Sequence, residues 1–356
     1  MAAALVQRLV LAPLVIVLTA LMWFTLPLTL LVTGVLSPFA PGWLRPVRLL
    51  WLLVVHLTLE SLALLELFGL WIASGFGLFV RRPYFERIHY DIVQAYLVVF
   101  FREARRVLRL RIRTVGPTPD ALPGSPLLVL CRHAGPGDSF TLMYALMHWY
   151  RREPRVVLKQ TLAWDPALGI VLTRLPSRFI APVRRPGRRV EEEIADLARH
   201  LDDNDAFVIF PEGGNFTQER RRRAIGRLRD QGLAEMADRA EAMKHVLPPR
   251  PGGVLAALDA APGTDVLLVA HTGLDHVVTA ADVWRVLPMD KELLMGWWRV
   301  PAADIPAGRD ARIRWLYDWW LDVDRWVEEH RPRDLPPLRE VRREQRQARR
   351  RQRAVP

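Results

Sequence analysis

Two apolar runs near the N-terminus restrict this chain more than any other feature. No charged residue occurs from Leu9 to Leu44, and a second run from Leu49 to Val80 carries only His56, Glu60 and Glu66. A helix that crosses a bilayer needs about 20 predominantly apolar residues, and each run exceeds that length. A cleaved leader fits poorly. The first run is too long, Pro13 and Pro27 interrupt it, and a second run follows at once. Residues 1–83 therefore read as a hydrophobic helical membrane anchor. Two spans and a monotopic hairpin on one leaflet both fit the pattern. Arg81, Arg82, Arg87, Arg102, Arg105 and Arg106 follow the second run, whereas the connection has only Arg45 and Arg48. The positive-inside rule then places the rest of the chain on the cytoplasmic face. Glu60 and Glu66 are read as facing the other helix or the interface, because a carboxylate in lipid is costly.

The formal net charge of +12 is uneven: residues 331–356 hold ten Arg against three acidic residues. This tail, with few apolar residues, reads as a basic disordered segment. Basic chains suit anionic lipid surfaces or nucleic acid. The apolar N-terminus favours the membrane, and no nucleic acid is expected as a partner. One cysteine, Cys131, excludes an intrachain disulfide. No Cys/His spacing suits zinc.

Residues 84–330 read as a separate domain. An amphipathic helix is predicted over 84–108. Short apolar runs then alternate with helical ones. Strands are expected at 125–132, 155–159, 178–183, 206–210 and 265–270, and helices at 139–150, 190–203, 227–245 and 308–329. The alternation implies an α/β fold with a mostly parallel or mixed sheet and flanking helices. In the last helix, Trp315, Trp319, Val323 and Trp326 share a stripe, read as packing on the core.

Residues 131–140 read CRHAGPGDSF. His133 and Asp138 are five positions apart, too far round a helix to meet on one face. Gly135, Pro136 and Gly137 supply the turn that lets them meet. The pair follows a strand, where open α/β sheets place their ligand sites. An aspartate on one ring nitrogen leaves the other to take a proton from a hydroxyl. A helix cap at Asp138 or Ser139 is the plain alternative. FPEGGN, residues 210–215, also follows a strand, and its glycines permit close approach of a ligand. Between the two lies KQTLAWDPALG, 159–169, in which Lys159 is one of three lysines in a chain with 47 arginines. Cys131 reads as a buried hydrophobe rather than a nucleophile.

The ordered blocks H-x4-D, K-x2-L-x3-P-x2-G and F-P-E-G resemble the glycerolipid acyltransferase family, typified by 1-acylglycerol-3-phosphate acyltransferase, over roughly residues 125–275. The second block matches at Lys159, Leu162, Pro166 and Gly169, and the third at Phe210, Pro211, Glu212 and Gly213. The resemblance implies His133 as general base and Asp138 as its orienting group. It implies substrate contacts at Lys159, Phe210, Pro211, Glu212, Gly213, Gly214 and Asn215. LPPRPGG, 247–253, is similar to a Pro-Arg-x-x-Gly segment of one branch. The family usually carries Thr-Arg after Glu-Gly, where this chain has Gly214 and Asn215. The arginine assigned to the acceptor's phosphate is thus missing. Arg220 to Arg223, Arg250 and the RRPGRR run at 184–189 are the candidate replacements. The family's Ile-Asp-Arg near the second block is also missing, and in FIAPVRR Arg184 or Arg185 is its out-of-register substitute. His271, on the late strand, reads as structural.

The implied reaction moves a fatty acyl group from a thioester, acyl-CoA or acyl-carrier protein as co-substrate, to the hydroxyl of a lysophosphatidic-acid-like lipid. No bound cofactor or metal is called for. The alternatives are a different, phosphate-free acceptor, or a catalytically silent membrane scaffold of the same fold.

Overall fold

The computed structural model describes residues 6–40, 44–116, 124–180, 190–275, 277 and 280–332. The basic tail beyond residue 332 and the 181–189 part of the sequence lie outside them, as does the end of the strand expected at 178–183.

The first apolar run forms a short π-helical start, Gln7–Leu11, and helix α1, Ala12–Leu36; the second forms α2, Arg45–Ala73. Both are long and apolar enough to cross a membrane, with mean hydropathies of 2.5 and 1.8. They pack on each other through polar contacts in an apolar seam. Thr19 Oγ1 meets Ser61 Oγ at 2.8 Å, and Trp23 Nε1 donates to Thr58 Oγ1 at 2.8 Å. The outer face is bare hydrocarbon: Phe24 is 84% and Phe39 83% exposed.

Helix α3, Pro83–Leu108, lies between α2 and the sheet. Its Tyr90, Leu97 and Phe101 enter the core, while His56 of α2 meets the Tyr96 hydroxyl at 2.7 Å on the other side. The sheet strands and helices then follow: β1 (Leu110–Val115), β2 (Leu127–Cys131), α4 (Pro136–Tyr144), β3 (Glu153–Lys159), α5 (Pro166–Arg174), β4 (Arg178–Ile180), α6 (Val190–Ala198), β5 (Asp205–Ile209), α7 (Gln218–Asp230), α8 (Ala234–Ala242), α9 (Pro251–Ala260), β6 (Asp265–Thr272), α10 (Ala280–Val286), β7 (Lys291–Val300) and α11 (Arg309–His330). The seven strands are ordered β1-β7-β6-β2-β5-β3-β4. All neighbours are parallel except β6 and β7, so β1 and β7 run against the other five. The fold is a mixed α/β sheet with flanking helices.

Strand side chains alternate between two buried faces. Leu127, Val129 and Cys131 of β2 join a core with α3, α4 and α5; Leu128 and Leu130 join a second core with α6, α9 and α11. That double burial explains why β2 is a continuous apolar run rather than an alternating one. On α11, Leu316, Trp320, Val323 and Val327 pack on the sheet, with Trp315 and Trp319 at the margin. The single helix expected at 227–245 is instead two, α7 and α8, broken where Gly232 takes a φ of +74°. A residue in the left-handed region ends a helix, and glycine enters it without strain.

The hairpin is docked on the domain. The Glu60 carboxylate, buried in α2, accepts from the Ala167 N–H at the start of α5 at 2.8 Å. Arg174 Nη1 of α5 donates to the Leu67 carbonyl at 2.8 Å, and Gln7 Nε2 donates to the Asp165 carbonyl at 2.7 Å. A Cβ on Gly169 would collide with the Gln7 amide and the Ala163 carbonyl, which gives that glycine of the second block a packing reason.

At the edge where β3 and β5 begin, the register sets Glu153 beside Asp205. Arg155 pairs with Asp205 at 2.5 Å, and Arg87 lies 3.9 Å from Glu153. Burial, then the charges of Asp202 and Asp205, push the Glu153 carboxyl up to about 7. Between the ordinary carboxyl value and 7 the folded chain holds a proton that the unfolded chain has released, so stability falls as pH rises through that window. Glu153→Gln is expected to raise the melting temperature at pH 8 relative to wild type and to leave it nearly unchanged at pH 5. Thermal unfolding in detergent at the two pH values checks this.

Candidate active site

The sheet register decides which residues meet. Leu130 of β2 pairs with Ile209 of β5, Val156 of β3 with Val208, and Cys131 with Val269 of β6. Carried forward by a few residues, these rows bring His133, Glu212, Lys159 and His271 to one edge. It is the C-terminal edge of the parallel strands, the place where such sheets bind ligands. The three sequence blocks are far apart in the chain and adjacent here.

His133 is half-buried and held by the 212–216 loop at both backbone groups. Its N–H donates to Glu212 Oε1 at 2.9 Å, and its carbonyl accepts from the Phe216 N–H at 2.9 Å. Its ring packs on Phe210 with centroids 4.7 Å apart. Asp138 lies in the first turn of α4, which begins at Pro136. The Asp138 side chain is outside the described residues, as are the Lys159 side chain and Arg184 entirely.

Glu212 is 1% exposed. Its second oxygen accepts from the Leu247 N–H at 2.8 Å, so one carboxylate ties the His133 loop to the segment before α9. The next amides of that segment are held by Asp324 of α11, which accepts from Lys244 N at 2.9 Å and Val246 N at 3.2 Å. Arg132, 1% exposed, donates to the His245 carbonyl at 3.0 Å and pairs with Asp275 at 2.5 Å. His271 Nε2 meets the Arg132 carbonyl at 3.0 Å. Burial works against the Asp275 charge, but Arg132, His271 and bonds from Thr272 and Gly273 outweigh it, holding that carboxyl well below its usual range. The segments joined to His133 thus carry a polar lattice of buried Arg132, Glu212, His271 and Asp324, with half-buried Asp275 at its margin.

The family model described as Acyltransferase matches residues 110–261, the segment that carries all three blocks. It is an acyltransferase-family domain. A search of curated proteins found no match. Among solved structures, the 1-acyl-sn-glycerophosphate (LPA) acyltransferase PlsC from Thermotoga maritima is similar, with a TM-score of 0.45 and 15% identity, covering 79% of this chain and 97% of that one.

Among the described residues, the expected substrate residues fall into three groups. Pro211, Glu212 and Gly214 are buried, whereas Gly213 and Arg250 are exposed and Phe210 and Asn215 lie between. Glu212, expected at the acceptor, has its oxygens turned inward to two backbone N–H groups. Cys131 is fully buried, its thiol donating to the Arg132 carbonyl at 3.2 Å. Sequence reasoning passed over Arg132, Asp275 and Asp324. One signal was present: a charged residue directly after a fully apolar strand is costly to bury without partners.

Removing one partner of a buried N–H costs about 1–3 kcal/mol. Glu212→Ala orphans two, and Glu212→Gln sets an amide against one of them. Both variants are expected to lose about 1–3 kcal/mol or more of stability, read as a lowered denaturant midpoint. A carboxylate that served only the acceptor would raise KM and leave that midpoint unmoved.

Proposed function

We propose that the chain is a membrane-associated O-acyltransferase that moves a fatty acyl group from a thioester donor, coenzyme A or acyl-carrier protein, to the free hydroxyl of a lysophosphatidic-acid-like acceptor. The observation that carries this reading is His133, clamped at both backbone groups on the catalytic edge of an acyltransferase-family domain. In this reading the imidazole takes the acceptor's hydroxyl proton as its oxygen attacks the thioester carbonyl. The C–O bond forms, the C–S bond breaks, and the thiolate leaves with the proton returned by the imidazolium. Asp138 is the orienting carboxylate. In this reading, backbone N–H groups of the 135–139 turn are the donors to the developing oxyanion.

The same proposal places the hairpin in one leaflet. The domain touches α2 from Arg45, which donates to the Arg285 carbonyl at 2.8 Å, to Leu67, which accepts from Arg174. That stretch is about 33 Å of helix at 1.5 Å per residue, as long as the hydrocarbon core is thick. A polar domain cannot lie along a helix through that whole depth. Leu162 and Trp164, exposed on the turn leading into α5, then extend the apolar surface toward the site for the acyl chain.

Two measurements test this. In a detergent acyl-transfer assay, His133→Ala and Asp138→Asn are each expected to lose roughly 100-fold or more in kcat; wild-type turnover in a folded variant overturns the mechanism. Phe39→Cys, in the turn that follows α1, is expected to resist a membrane-impermeant maleimide applied from the non-cytoplasmic side. Labelling there would establish two spans instead.

A further inference from the structure

We propose that Arg250, with Arg220 beside it, forms an anion subsite over Gly213 and Gly214 that takes a phosphate group of one of the substrates. The inference rests on the acyl-transfer reading and names what holds the phosphate where the family's arginine is missing.

The two glycines lie between the anchors that clamp His133. Glu212 accepts from the His133 N–H and Phe216 donates to its carbonyl, so residues 213–215 are fixed beside the His133 backbone. Gly213 has a φ of +65°, and a Cβ there would lie 3.0 Å from Arg250 Cζ and Nη1. A Cβ on Gly214 would lie 3.3 Å from Arg220 Nη1. Each guanidinium thus occupies space that a side chain at its glycine would need. The replacement of Thr-Arg by Gly-Asn removes one cation from the loop and opens room for two from elsewhere.

Both arginines are anchored close by. The Arg250 N–H donates to the Pro211 carbonyl at 2.8 Å, and Arg220 Nη1 donates to the Asn215 carbonyl at 3.0 Å. Their charges are not balanced. Other arginines of α7 have partners: Arg223 pairs with Glu219, Arg229 with Glu241 at 2.5 Å, and Arg221 donates to backbone carbonyls including Ala240 at 3.3 Å. Among the described residues, no carboxylate pairs with Arg250, Arg220 or Arg227. Burial of part of the Arg250 side chain, together with the nearby charge of Arg227, disfavours its cationic form. Like charges gathered over one loop are unfavourable in the empty protein and favourable once an anion arrives. Guanidinium groups bind phosphate oxygens through paired donors.

A lipid acceptor and a coenzyme A donor both carry phosphate, and kinetics on the full chain in detergent separates them. Initial rates are measured with 1-oleoyl-lysophosphatidic acid, with phosphate-free monooleoylglycerol, and with varied oleoyl-CoA. Arg250→Gln is expected to raise KM roughly tenfold or more for one phosphate-bearing substrate, the loss of one charged hydrogen bond. Little change in kcat is expected, and Arg250→Lys should recover part of the loss. The substrate whose KM moves owns the subsite, and monooleoylglycerol is unaffected. Unchanged KM for both phosphate-bearing substrates in Arg250→Gln and in the Arg220→Gln/Arg250→Gln double variant overturns the inference. Binding of dodecyl phosphate by calorimetry provides a readout without turnover. Weaker binding in the double variant supports the subsite even if wild type proves inactive, an outcome that sinks the acyl-transfer reading alone. Equal binding in wild type and double variant counts against the subsite.

Discussion

One buried carboxylate joins three segments of this chain at the C-terminal edge of the parallel strands. Glu212 follows β5, and its oxygens receive the N–H groups of His133, after β2, and Leu247, before α9. Neither amide has a strand to pair with at that point, and a buried N–H without a partner is costly. The bridge exists because β2 and β5 are parallel neighbours with Leu130 opposite Ile209. A slip of one residue would turn Glu212 to the other face of the sheet. Asp324 and Arg132 extend the same logic, holding the 244–246 backbone from both its N–H and its C=O side. The edge is therefore rigid for a reason that precedes any chemistry.

The apolar hairpin is joined to that edge through the second block. Glu60 caps α5 from within α2, and Gln7 reaches Asp165 across Gly169. An acidic residue in an apolar helix thus has its polar partner in the domain, a contact that the sequence reading, which turns Glu60 toward the other helix or the membrane interface, does not anticipate. The docking of the hairpin and the second block share the same helix: α5 begins at Pro166, directly after the turn that carries Leu162 and Trp164.

Much of the sheet was legible because a strand buried on both faces must be a continuous apolar run. β2, β5 and β6 each announce themselves in this way, and β3 does so through its Val156-Val157-Leu158 centre. β1 and β7 do not. LRIRTV alternates apolar with Arg, and KELLMGWWRV mixes charged ends with tryptophans, since these strands lie toward the sheet margin, where burial is incomplete. Helices α5 and α9 were also missed. Each is short, starts on a proline and is apolar nearly all round, so helical periodicity has little to mark. The break between α7 and α8 was signalled by Gly232, but the apolar residues on either side read on as one helix.

The residue types at the site were readable in order along the chain: a histidine and an aspartate across a Gly-Pro-Gly turn, a carboxylate before two glycines, two runs too apolar for water. Local chemistry and periodicity determine these, because they depend on neighbours within a few positions. What the side chains do with one another was decided only by the fold. Glu212 faces inward to two amides, Arg132 is buried with Asp275, and Arg250 comes from the start of α9 to lie over Gly213. Each of these contacts joins residues tens of positions apart. Such contacts are set by strand order and register, and the pairing of whole strands is a property of the packed sheet rather than of any short stretch of sequence.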